Sequence, residues 1–112
     1  MSEKILSTEE YVNHPKEIGV KMKHFFSNAD NDRLNNLEVR IDPGCQISQH
    51  IHDNSSEFYY VVDGSGDFFI NGQWSQVKKG DAMKAPMGEE HGLKNTGHEP
   101  FILFSTFSPP TR

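Results

Sequence analysis

Turn signals recur at short intervals along most of this chain, and that spacing leaves room for little except short strands. Asp42-Pro43-Gly44, Asp63-Gly64-Ser65-Gly66, Asn71-Gly72, Lys79-Gly80-Asp81 and Ser108-Pro109-Pro110 punctuate the sequence. Between them lie alternating segments. Val20 to Phe25 and Leu37 to Ile41 alternate apolar and polar residues, as half-buried strands do. Gln46 to His52, Glu57 to Val62, Ala82 to Ala85, His91 to Asn95 and Phe101 to Phe107 read the same way, with Glu57-Phe58-Tyr59-Tyr60-Val61-Val62 the strongest strand of all. Asp67 to Ile70 and Gln73 to Val77 flank Asn71-Gly72, the two-residue hairpin signal. No long helical period competes, so the pattern predicts an antiparallel sandwich or barrel.

At 112 residues the chain has the size of one domain with one core. Hydrophobic residues are only 34% of it, but eight Phe, three Tyr and one Trp supply strand-favouring bulk. Residues 1 to about 18 are polar and irregular, with a short helical turn expected near 8–11. Residues 1–25 are therefore read as an arm or strand that packs on the barrel of 26–112 or on a partner, with Val20, Met22 and Phe25 to bury. Residues 28–32 are a loop by composition. The net charge of −5 and the lack of a basic patch argue against nucleic acid. No apolar run reaches membrane-span length. Met1-Ser2-Glu3-Lys4 lacks a secretory pattern, which makes the cytoplasm the expected location. The single cysteine, Cys45, has no intrachain partner and reads as a small, partly buried residue.

The chemistry lies in four residues. His50 and His52 stand two apart on an expected strand, so both side chains share one face. Glu57 opens the next strand across a short loop, and His91 begins another strand more than thirty residues later. Three imidazoles and a carboxylate form a good ligand shell for a divalent first-row metal, and they leave coordination positions open. Buried together without an ion, they would be costly. His14, His24 and His98 are read instead as surface or satisfied histidines.

The surrounding sequence resembles the cupin superfamily. Residues 44–64, from Gly44 through His50, His52 and Glu57 to Gly64, look like the first cupin motif. Residues 80–95, from Gly80 through Pro86 and His91 to Asn95, look like the second, after a connector from Ser65 to Lys79. The resemblance to small microbial cupins implies an all-β, single-domain antiparallel jelly-roll β-barrel, the double-stranded β-helix. It also assigns the role of metal ligand to His50, His52, Glu57 and His91. It further implies a homodimer, often with exchanged N-terminal strands.

Alternation gives a provisional pocket of Gln46, Ser48, Tyr59, Val61, Leu93 and Asn95, suited to a small, partly polar molecule. Ile47, Ile51, Phe58, Tyr60 and Val62 fall on the opposite faces. Glu57 and Tyr59 are the candidate catalytic groups, Tyr59 as a hydrogen-bond donor or acid. Glu89 and Glu90 read as rim charges. The expected cofactor is one divalent ion of iron, manganese, nickel or zinc. Cupins with this ligand set resemble dioxygenases, isomerases, decarboxylases and lyases; iron favours oxidative cleavage and the other metals the remaining classes. The alternative function is a module that binds a small acid or sugar without turning it over, with neither nucleic acid nor membrane as partner.

Overall fold

The computed structural model describes residues 5–6 and 9–112. The Met1–Lys4 start and part of the expected 8–11 turn lie outside the described residues. Among the described residues ten strands follow one another: β1 Val12–Asn13, β2 Val20–Phe26, β3 Asn35–Ile41, β4 Gln46–His50, β5 Ser56–Asp63, β6 Ser65–Ile70, β7 Gln73–Lys78, β8 Ala82–Ala85, β9 His91–Lys94 and β10 Phe101–Ser108. They form a six-stranded sheet in the order β1-β2-β3-β10-β5-β8 and a four-stranded sheet in the order β4-β9-β6-β7. Every pairing is antiparallel. This is the all-β jelly roll that the turn spacing and the motif resemblance predict.

The alternation of the sequence becomes an inner and an outer surface. On β3, Leu37, Val39 and Ile41 are buried while their neighbours are half-exposed. On β5, Glu57, Tyr59 and Val61 point in; on β10, Phe101, Leu103, Ser105 and Phe107 do. The apolar side chains among these meet Phe68, Val77, Met83 and Leu93 in one continuous core. Burying each large apolar side chain contributes about 1.5–3 kcal/mol. Val20 and Met22 belong to that core, so β2 is a full member of the sheet.

Two turns show the local chemistry. Asn71 and Gly72 both take positive φ, 52° and 76°, as the hairpin joining β6 to β7 requires. Gly64, at φ 78°, joins β5 to β6 so closely that a Cβ would lie 2.2 Å from the Pro100 carbonyl oxygen. Only glycine satisfies both conditions there.

The segments before β2 and after β10 are tied to the barrel. Tyr11 donates its hydroxyl to Glu38, and Lys23 lies 4.6 Å above the Tyr11 ring. After β10, Ser55 Oγ donates to the Pro109 carbonyl (2.6 Å), the Thr111 amide to Asn35 Oδ1 (2.7 Å), and the Asn28 amide to the Arg112 carbonyl (2.5 Å).

Candidate metal centre

His50 closes β4 and His91 opens β9, and antiparallel pairing sets the two directly opposite each other. Glu57 reaches the same point from β5 in the other sheet, and His52 follows β4 by two residues. One ligand atom from each of these four residues lies within 4.8 Å of the other three. His50 Nε2 is 3.1 Å from His52 Nε2, His91 Nε2 is 3.0 Å from Glu57 Oε1, and His52 Nε2 is 3.7 Å from Glu57 Oε1. Metal–nitrogen bonds of about 2.1 Å place adjacent ligand atoms about 3 Å apart, so the spacing suits one ion.

Backbone carbonyls set the tautomers. His50 Nδ1 lies 2.7 Å from the Ser48 carbonyl oxygen, and His91 Nδ1 lies 2.9 Å from that of Glu89. A carbonyl only accepts, so each Nδ1 carries the proton and donates it. In the neutral rings Nε2 then presents its lone pair to the common point, the arrangement that orients histidine ligands on a metal. A buried carboxylate and lone pairs at such distances demand a cation or proton between them. The donor set therefore fits a divalent metal.

The local field agrees. Burial alone would lower the His91 imidazole, but its hydrogen bonds with Glu57 and the Glu89 carbonyl outweigh this and hold it above its ordinary value. At His52 burial wins over the attraction of Glu57, with help from the other two imidazoles and Arg112, and the value falls. Burial and the Glu57 carboxylate push the Tyr59 phenol well above 10, so it stays a neutral donor. Ser105, on β10, donates to Glu57 Oε2 at 2.5 Å. The strand motifs did not mark Ser105; the available signal was a lone hydroxyl among Phe101, Leu103 and Phe107 on the inward face.

His50, His52 and Glu57 stand at the wall of a cavity of about 500 Å³, which Ser48 and Tyr59 also line, and His91 is buried behind them. The other expected pocket residues lie elsewhere. Gln46 is exposed, because a bulge between Ile47 and His50 shifts the register. Ile47 pairs with Leu93 and His50 with His91, so three steps on β4 answer two on β9 and Ile47 turns inward onto the cavity. Ile51 also lines the cavity rather than an outer face. Val61 and Leu93 do point in, but into the closed apolar core. Asn95 is a structural tie: its amide donates to the Ile41 and Glu99 carbonyls and accepts from the Gly97 amide. Phe58, Tyr60 and Val62 do face outward. Among the lining residues that the expected pocket lacked are His14 and Arg112, brought there by the segments flanking β2 and β10.

Comparison with known proteins agrees with this architecture. Residues 37–107 match the cupin domain family. The chain is 32% identical over 81 residues to an oxalate-binding protein of Thermotoga maritima, covering 70% of this chain and 67% of the relative. It is 35% identical over 78 residues to the pectin degradation protein KdgF of Dickeya dadantii, covering 70% of each. The crystal structure of a predicted oxalate decarboxylase from Thermotoga maritima superposes with a TM-score of 0.79 at 28% identity, over 91% of this chain and 92% of that one. By family match, relatives and fold alike, the chain belongs to the cupin family.

Proposed function

We propose that this cupin is a mononuclear metal enzyme that acts on a small polar organic molecule, with chemistry of the dioxygenase, isomerase, decarboxylase or lyase type. The observation that carries the proposal is the convergence of His50, His52, Glu57 and His91 on one point at the wall of a cavity. A divalent iron, manganese, nickel or zinc ion held there would supply Lewis acidity toward a ligand oxygen. The chain's own groups do the remaining work. Ser105 fixes one carboxylate oxygen of Glu57 and leaves the other toward the common point. Tyr59, kept protonated, supports the Glu57 carboxylate and cannot act as a base near neutral pH. Met22, Leu37, Val39 and Phe107 make part of the cavity wall apolar.

Cobalt substitution tests the open position. Titrating azide into the cobalt-loaded protein should shift the visible bands; an unchanged spectrum would mean that protein groups saturate the ion, and the enzyme reading would fall. A second reading, a binding module without turnover, draws support from the relative named as an oxalate-binding protein. A ligand that binds at the centre and is recovered unchanged after prolonged incubation would favour it.

We also propose a homodimer working in the cytoplasm. The outer face of the six-stranded sheet leaves Phe58 and Tyr60 43% exposed and Val62 39% exposed, side by side on β5, which suits a self-complementary interface. Light scattering should give twice 12.7 kDa; the monomer mass would refute the dimer.

A further inference from the structure

Besides three of the metal-ligand residues, the cavity is lined by two cationic residues, Lys16 and Arg112, and by His14, whose imidazole burial holds below its ordinary value. The Nε of Arg112 is buried and has no hydrogen-bond partner among the described residues. A guanidinium is always charged, and leaving one of its donors buried and unpaired is costly.

Among the described residues no side-chain carboxylate pairs with Arg112. The acidic side chains that line the cavity are those of Glu17 and Glu57. Both oxygens of Glu17 face Ser48, with the amide 2.9 Å from Oε2 and the hydroxyl 3.2 Å from Oε1. Glu57 is held by Ser105 and His91. Arg112 is also not a loose end. Its carbonyl accepts from the Asn28 amide, and the preceding residue is bonded to Asn35. Its charge adds to burial in lowering the imidazoles of His14 and His24.

We propose that Arg112 receives the anionic end of the bound molecule, so that the site selects small organic acids with a carboxylate. This deepens, and rests on, the reading of the cavity as the site of a metal-bound ligand. The planar guanidinium fork matches a carboxylate through paired hydrogen bonds. The apolar wall of Met22, Leu37, Val39 and Phe107 takes the carbon skeleton, and about 500 Å³ admits an acid the size of benzoate or glutarate. A neutral ligand would leave the guanidinium unpaired, which is the physical basis of the selectivity.

The test is calorimetric titration of benzoate, glutarate and the neutral isostere benzyl alcohol into the full chain, zinc-loaded and chelator-treated. Wild type, Arg112→Gln and Arg112→Lys are compared, with zinc per chain counted in each. The expected result is at least about tenfold weaker carboxylate binding by Arg112→Gln at unchanged zinc content, with partial recovery in Arg112→Lys and benzyl alcohol at least about tenfold weaker than benzoate. The proposal is overturned if both variants bind the acids as wild type does, if benzyl alcohol binds as well as benzoate, or if wild type binds neither acid. Zinc uptake with acid binding indifferent to Arg112 removes this proposal and leaves the metal centre standing. Arg112-dependent acid binding without zinc uptake does the reverse.

Discussion

Replacing Ser105 by alanine removes one atom from the support of the metal centre and little else. Ser105 is wholly buried, and its hydroxyl donates to Glu57 Oε2 at 2.5 Å. Serine and alanine differ little in volume, so no sizeable cavity opens and the neighbouring Leu103 and Phe107 need not move. The lost interaction is a hydrogen bond to a buried carboxylate that is only 5% exposed. Such bonds contribute about 1.5–3 kcal/mol. In the metal-free protein that corresponds to a melting temperature lower by several degrees, at about 4 °C per kcal/mol for a domain this size. In the loaded protein Glu57 loses the group that orients it, and loss of such an orienting partner weakens metal affinity by roughly 10–100-fold. Competition against a chelator of known zinc affinity measures the second effect, and thermal melting with excess chelator the first. Ser105→Thr keeps the hydroxyl and should recover part of the affinity. Zinc affinity of Ser105→Ala within about twofold of wild type, in a folded protein, would refute the reasoning, because about 1.4 kcal/mol is needed for each tenfold change.

Other consequences follow from the packing and the field. Leu103→Ala, in the centre of the core, should cost about 2–5 kcal/mol in urea unfolding; a loss under 1 kcal/mol would place Leu103 outside the core. Burial first, then Arg112, holds the His24 imidazole below its ordinary 6.5. The unfolded chain therefore takes up that proton first as pH falls, and the contribution is complete above 6.5 and lost as pH drops through 6.5 toward the folded value. The urea midpoint of the chelator-treated protein should fall less between pH 7.5 and 5.5 in His24→Gln than in wild type; equal falls would contradict the assignment. Burial and the hydrogen bond to Glu38 push the Tyr11 phenol up to about 12, so ultraviolet titration should show a late-ionising tyrosine that titrates earlier in Glu38→Gln.

The sequence carried the strands because their turns are chemically marked. Asn71-Gly72 can hardly be anything but a hairpin, and the alternation of β3 and β10 is visible without coordinates. The ligand cluster was legible for a related reason: His50 and His52 share a face by parity, and the motif spacing supplied Glu57 and His91. The pocket wall was less legible. Counting back by twos from His50 reaches Ser48 and Gln46, but the bulge between Ile47 and His50 breaks the count and leaves no residue signature. Val61 and Leu93 have the right parity and the wrong depth, and parity says nothing about depth. His14 and Arg112 reach the cavity along irregular segments, whose paths depend on long-range hydrogen bonds such as Thr111 to Asn35 and Ser48 to Glu17. No local pattern encodes those.

The most direct test of the metal centre is the metal content of untagged protein purified anaerobically without added metal. Wild type should carry close to one iron, manganese, nickel or zinc per chain, and His50→Ala and Glu57→Gln should lose most of it while remaining folded. Wild type that carries no metal and takes up none when it is offered, or variants that bind as much as wild type, would show that these four side chains do not form a metal centre.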